Sequence, residues 1–213
     1  MRSLPAVVRT LVVAAAALAL AACSSPTPGV LPGTPAPNAS VTATLGSLAY
    51  YQQVAALDGS VAASQLEILD AAVKADQLSF EAYSEAINES LACIADAGVE
   101  VDGPRTDNSA GYPQISYGFA AGMGADGKPD NPVPDDCIRR YSQYVEIAYT
   151  SQPASQEALD QALAKKRPDV ERCVDRAGIQ IDSSLELRDW FMAVADSGDA
   201  GRDCLMAAEV FEF

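Results

Sequence analysis

The chain has 213 residues, of which 49% are hydrophobic, and a formal net charge of −15. It contains no histidine, so the commonest general base and the commonest metal ligand of proteins are both absent. Acidity of this size disfavours binding to nucleic acid and to anionic lipid headgroups. The length suits one compact domain or two small ones.

The first 22 residues have the composition of a secretory signal peptide. Arg2 and Arg9 precede an apolar run at residues 11–20, which is too short for a stable membrane span. The segment closes with Leu-Ala-Ala-Cys, which resembles the bacterial lipobox. In that motif the cysteine, here Cys23, is lipidated and becomes the first mature residue. We therefore expect anchoring at the outer face of the cytoplasmic membrane, with an ordinary cleaved signal as the alternative. Loss of the two arginines takes the net charge from −15 to −17.

Residues 24–44 consist mainly of Pro, Ser, Thr, Gly and Ala and contain no charged residue. Such a segment cannot bury a core, so residues 23–44 are predicted to be a lipidated cysteine followed by a disordered tether. At about 3.1 Å per residue, a fully extended tether would reach on the order of 60 Å from the membrane.

Helix signals begin the folded part, for which we predict a first half at residues 45–151. Ser64 opens a capping box with the glutamate three residues later. Ser79 fits the N-cap of the next helix, whose apolar stripe ends at Gly98. This half therefore begins with amphipathic helices.

Two short segments with alternating apolar residues follow. Residues 99–101 and 115–119 are predicted to pair as antiparallel strands. Residues 122–134 are rich in Gly, Asp and Pro and predict no regular structure. Asp135 is predicted to cap the final helix of this half.

Residues 152–213 repeat this order in an abbreviated second half of the same domain. Ser155 is predicted to cap a helix that Pro168 kinks or restarts. Residues 179–181 are predicted to form another strand. Ser183 opens a capping box for a further helix.

An internal repeat supports this division of the chain. Residues 93–102, CIADAGVEVD, return as residues 173–182, CVDRAGIQID, with four identical positions. Each copy is typical of a helix that ends in a glycine and continues as a strand. The predicted fold class is α+β and helix-dominated. It consists of two tandem helix–strand–helix half-modules with a small antiparallel sheet, each half held by a disulfide.

Four cysteines remain beyond Cys23. An even number in an exported chain predicts two disulfides among Cys93, Cys137, Cys173 and Cys204. We favour Cys93 with Cys137 and Cys173 with Cys204, because each half of the repeat then carries its own bridge. A bridge between the equivalent residues Cys93 and Cys173 is the main alternative, and four free thiols are another.

Several segments within residues 65–178 form a further pattern, in which a Cys-x-x-x-x-Gly helix end is followed by a later helix that carries a cysteine. They are residues 78–83, 92–98, 117–119, 137, 144–149 and 173–178. These segments resemble an uncharacterised group of small exported lipoproteins of actinobacteria. The resemblance implies a lipoprotein with disulfides. It implies no activity and assigns no catalytic or binding residue.

The missing histidine excludes Ser-His-Asp and Cys-His catalysis. No phosphate-binding loop or dinucleotide fingerprint is present, and no cofactor or metal is predicted. The acidic residues leave a two-carboxylate hydrolase open. The best ion candidate is the loop at residues 126–136, with Asp135 and Asp136 at its end, for which a solvated turn is the alternative.

A dense aromatic set provides the candidate binding residues. It consists of Tyr112, Tyr117, Phe119, Tyr141 and Tyr144, with Tyr149 nearby. These side chains would line a groove for a peptide or glycan, or else build a small core. We therefore expect a membrane-anchored, non-enzymatic binding module with an envelope protein or glycan as its partner. A wall-active hydrolase that uses paired carboxylates is the alternative.

Overall fold

Three helices open the fold in the computed structural model, which describes residues 40–120, 122 and 131–210. They are α1 (Leu48–Leu57), α2 (Ala63–Ala75) and α3 (Phe80–Asp96). The hydroxyl of Ser79 accepts a hydrogen bond from the backbone N–H of Ala82 at 3.2 Å, which confirms the predicted N-cap of α3.

The start of α2 differs from the predicted one. Its N-cap is Ala62, and no side chain caps it. Ser64 lies inside the first turn, where its hydroxyl donates to a carboxylate oxygen of Glu89 on α3 at 2.7 Å. The hydroxyl that the local pattern assigned to capping therefore forms a hydrogen bond with a side chain on another helix.

An antiparallel hairpin follows α3. Strands β1 (Val101–Asp107) and β2 (Gln114–Phe119) pair with Val101 opposite Phe119 and Asp107 opposite Gln114. The antiparallel pairing is confirmed, but β1 shares only Val101 with the predicted segment at residues 99–101 and extends six residues beyond it. The register shifts between Asp102 and Arg105, where the chain includes a proline that cannot donate to the ladder.

Five further helices complete the described part of the chain. They are α4 (Val133–Tyr141), α5 (Gln143–Ser151), α6 (Pro153–Ala177), α7 (Leu187–Asp196) and α8 (Asp199–Ala207). The helix-dominated α+β class with a small antiparallel sheet is thus confirmed. The predicted cap at Asp135 is wrong, because α4 begins two residues earlier and its N-cap is Pro132.

The second half departs from the predicted order. The helix α6 runs through Pro168 without a break, and Ser155 lies within it, donating to the carbonyl of Tyr149 at 2.7 Å. Gly178 ends α6 in the left-handed conformation, as predicted, but residues 179–181 do not form a strand. A strand needs a partner, and the described residues of the second half provide none. Nor does Ser183 cap a helix, since α7 begins at Leu187.

The buried side chains form two clusters. The first lies among α1 to α5 and the hairpin and includes Leu69, Ile87 and Val145. The second lies among α6, α7 and α8 and includes Val170 and Phe191. The described residues belong to one compact unit, Gly33–Phe213.

Each cluster contains one disulfide. Cys93–Cys137 joins α3 to α4, and Cys173–Cys204 joins α6 to α8. The favoured pairing is confirmed, and the alternatives of a bridge between the two copies of the repeat and of free thiols are excluded. In each half the bridge joins the helix in which the repeat begins to a later helix, which is the next helix in the first half and the second one along in the second half.

The turn of the hairpin connects the two clusters. Ala110 is buried in the second cluster, while Tyr112 packs against both. Between them Gly111 has a φ of +86°, and a Cβ added there would lie 2.5 Å from the backbone oxygen of Ala158 on α6. Only glycine combines this backbone conformation with so close an approach.

Two buried glutamines hydrogen-bond to the backbone at the helix junctions. Gln65 donates to the carbonyls of Arg139 and Arg140 at the end of α4. Its side-chain oxygen accepts from the N–H of Tyr144 at the start of α5. Gln152, at the start of α6, exchanges two bonds of 3.1 Å with the backbone of Leu78. Gln65 thus satisfies polar groups that the ends of α4 and α5 leave without partners, and Gln152 satisfies the backbone of the turn between α2 and α3.

Candidate functional site

The structure disperses the predicted aromatic residues over several elements. Tyr117 and Phe119 lie on β2, Tyr144 on α5, and Tyr112 in the hairpin turn; all four are half-buried and pack against the first cluster. Tyr141, at the end of α4, has the guanidinium of the preceding arginine over its ring at 5.5 Å. Four of these five side chains therefore contribute to the packing of the first cluster.

Two of these tyrosines also bond to acidic side chains of the fold. The hydroxyl of Tyr144 donates to Asp58 at 2.9 Å, and that of Tyr117 donates to Glu146 at 3.4 Å. Burial raises the pKa of both hydroxyls, and the neighbouring carboxylate adds to the increase in each case. Both groups are therefore neutral donors at pH 7.

The tightest aromatic contact of the described residues was not predicted from the sequence. Tyr83 on α3 and Tyr149 on α5 stack with ring centroids 4.4 Å apart and planes 6° apart. The Tyr83 hydroxyl accepts from the N–H of Ile115 on β2, and the Tyr149 hydroxyl donates to the carbonyl of Pro113. Burial raises the pKa of Tyr83 far above its ordinary value. This pair fixes the hairpin against the helices and is structural.

The predicted ion loop lies largely outside the described residues, which resume at residue 131. Asp135 and Asp136 lie exposed in the first turn of α4, where they complement the helix dipole. Within the part of the chain that the structure describes, no group of three or more acidic or cysteine side chains is placed to hold a metal ion.

Among the residues that the structure describes, three aspartates have a clear pKa shift, and all three shifts are downward. Asp58, Asp107 and Asp182 each accept hydrogen bonds from the serine two residues further on, which is the largest cause of each shift. Such bonds stabilise the charged carboxylate and the local turn. A general acid of a glycosidase needs the opposite, a raised pKa.

The feature best suited to binding is a groove between α2 and α3, which we call the α2–α3 groove. It has a volume of about 450 Å³. Apolar side chains from both helices and from the turn between them make up much of its lining, namely Ile68, Ala71, Ala72, Ala75, Leu78 and Ala82. Glu67 on α2 and Glu85 on α3 also line it, and both are exposed.

A second cleft, which we call the α2 end cleft, adjoins this groove and has a volume of about 560 Å³. The two share Ala75 and Gln77 at the end of α2. Asp76 and the start of α6 contribute to the second cleft. Together they form one concave surface around the end of α2. The sequence missed it, because alanines and surface glutamates produce no binding motif.

The charges in this surface differ from those in other clefts of the described fold. Neither the groove nor the adjoining cleft is lined by a lysine or arginine. In the cleft beside α7, by contrast, Asp160 is paired with Arg188 at 2.6 Å, and in the cleft at α8 Asp199 is paired with Arg202 at 2.6 Å.

Comparisons of the chain with protein-family models, curated proteins and solved structures found no match. Among the described helices, none combines the length and the apolar character that crossing a membrane requires. The fold and the site thus define a disulfide-bonded, helix-dominated α+β domain with an acidic, apolar-lined concave surface.

Proposed function

We propose that this protein is an exported lipoprotein of the bacterial cell envelope, anchored through Cys23 and related to the actinobacterial group that it resembles. Its folded domain acts as a binding module and not as an enzyme. The lipid holds the protein at the outer face of the cytoplasmic membrane, and the tether places the domain away from the bilayer.

The pairing of the cysteines is the observation that supports this proposal best. The four cysteines of the domain form two bridges, which are typical of oxidising compartments outside the cytoplasm. This leaves Cys23 as the one remaining cysteine of the sequence, directly after the signal-like segment. Lipidation of its thiol would account for the unpaired cysteine.

Electrostatics support binding over catalysis. The aspartates with a shifted pKa among the described residues become stronger acids. Each accepts hydrogen bonds from the serine of a local turn, and Asp58 also accepts one from Tyr144. A hydrolase with two carboxylates would need one group that keeps its proton near neutral pH. The α2–α3 groove offers instead an open apolar surface with charged edges, which suits the recognition of a macromolecule.

Metabolic labelling tests the anchor. The full chain is expressed in an actinobacterial host that is fed an alkyne fatty acid, and the label is detected after gel separation. The wild type and a Ser24→Ala control should carry the label, whereas Cys23→Ala should lose it. An unlabelled wild type, or label retained in the Cys23→Ala variant, would contradict the proposed anchor.

A wall assay tests the absence of catalysis. Purified full chain is incubated with a purified cell-wall fraction, and soluble sugars and peptides are measured after the wall is pelleted. We expect no release of fragments above the buffer control, and a cross-linked pull-down from the native cells should recover an envelope partner. Steady release of fragments would replace the binding module with the hydrolase.

A further inference from the structure

We propose that the α2–α3 groove and the adjoining α2 end cleft together bind a basic amphipathic helix of an envelope partner protein. Its apolar stripe would lie on the alanine-lined floor, and its lysines or arginines would pair with the acidic rim. This inference rests on the proposed binding module and specifies its surface and the chemistry of its partner.

The small side chains of the groove make it suitable for a helix. Ala72 and Leu78 are buried at its base, while Ala71 and Ala75 are exposed on its α2 side. Alanines allow another backbone to approach closely, and a groove between two helices receives the side-chain ridges of a third. Helix-in-groove recognition uses apolar anchors at spacings of three and four residues on one face of the ligand.

The acidic residues determine the charge of the partner. Glu67, Glu85 and Asp76 form no ion pair or side-chain hydrogen bond within the described part of the fold. The clefts beside α7 and at α8 differ in that each is also lined by an arginine, Arg188 or Arg202, which pairs with one of the acids there. A cationic ligand would therefore find complementary carboxylates at this groove.

Other occupants fit less well. A second copy of the chain, with a net charge of −15, would be repelled. The tether at residues 24–44 has no charge to pair with the rim. An anionic membrane surface would face the same carboxylates and be repelled as well. A basic protein segment is the occupant whose charge and shape both match.

Peptide titration tests the proposal directly. The probe is a fluorescent helical peptide of about fourteen residues, built from leucine, alanine and lysine with its apolar residues on one face. Two comparison peptides have the same composition in scrambled order, or glutamate in place of lysine. Fluorescence anisotropy with the purified full chain should show binding of the first peptide only, and binding should weaken with added salt.

Paired variants locate the binding. Glu67→Gln with Glu85→Gln should weaken binding about fivefold, as expected for two exposed ion pairs. The control combines Asp175→Asn near the end of α6 with Asp203→Asn on α8, which removes the same charge away from both clefts and should change the affinity little. Ala71→Arg should abolish binding by filling the groove with a cation, and its circular-dichroism melt should show a folded protein.

Each contrary result has a clear meaning. Equal weakening by the two double variants would show that only the overall charge attracts the peptide, and would overturn the groove assignment. Undiminished binding to the Ala71→Arg variant, or no binding of the basic peptide to the wild type, would overturn it too. Lipid labelling of Cys23 and the wall assay are independent of these results, so failure of the groove is distinguishable from failure of the proposed function.

Discussion

The replacement of Gln65 by leucine is the sharpest test of how the helices are held together. Gln65 is fully buried, and its amide makes four hydrogen bonds to backbone groups on both sides of the break between α4 and α5. Leucine has a similar size but no polar atoms. It therefore removes the bonds without opening a large cavity.

The expected cost follows from the groups left without partners. The carbonyl of Arg140 keeps a bond of 2.8 Å from Ala62, but that of Arg139 and the N–H of Tyr144 lose theirs. Each well-formed bond lost in this way costs about 1–3 kcal/mol, and the bond of 3.4 Å from Val145 adds less. Burial of the leucine recovers about 1 kcal/mol. We expect a net loss of about 3 kcal/mol from the free energy of unfolding.

Urea denaturation followed by circular dichroism measures this loss. With a slope of about 2 kcal/mol per molar urea, the midpoint should fall by about 1.5 M. The control is Gln161→Leu on α6, where the exposed amide bonds only to Glu157 one turn away, and its midpoint should shift by less than about 0.3 M. A shift of Gln65→Leu as small as that of the control would refute the structural role of this glutamine.

Three further predictions concern stability. Gly111→Ala should destabilise the protein by about 2 kcal/mol or more, because φ is positive and the added Cβ would meet a backbone oxygen of α6. Gly59→Ala, where nothing lies within 4 Å, should leave the thermal melting temperature nearly unchanged. Tyr83 has a raised pKa, so its stabilising effect is complete below about pH 10 and is lost as the pH rises above that value. The free energy of unfolding of the wild type should therefore fall as the pH rises above 10. In Tyr83→Phe the slope of this fall should be smaller by about 1.4 kcal/mol per pH unit, and equal slopes would contradict the prediction. Replacing both Cys173 and Cys204 by serine should lower the free energy of unfolding by about 3.5–4 kcal/mol, measured in urea, because the bridged residues are 31 positions apart. A loss below about 1 kcal/mol would show that the bridge constrains the unfolded chain far less than this.

Local sequence patterns correctly predicted the structural features that depend on residues close together in the chain. The Ser79 cap and the glycine at the end of α6 are set by backbone groups within a few positions along the chain. The bridges were predictable because the repeat placed one cysteine before and one after each Ala-Gly segment. Alternation at residues 115–119 predicted the second strand of the hairpin, whereas residues 102–107 of the first strand have no such alternation.

Long-range contacts explain most of what the patterns missed. Ser64 has the sequence context of a cap, but Glu89 on another helix takes its hydroxyl. Gln65 and Gln152 look like surface residues in the sequence, and only the folded chain shows the backbone groups that they satisfy. The α2–α3 groove was missed for the same reason, since its shape depends on how two helices meet.

The two copies of the repeat show how far a sequence determines its structure. Both end a helix with a glycine at positive φ, because that conformation depends on local sterics. Only the first copy leads into a strand, in which Val101 pairs with Phe119. The second copy has isoleucines at the equivalent positions, yet the described residues after it contain no strand to receive its hydrogen bonds. Ile179 and Ile181 instead pack against the second cluster as loop residues, so their apolar alternation supplies core contacts without a sheet. The same ten-residue pattern therefore gives a hairpin strand where a partner strand follows, and a packed loop where α7 follows.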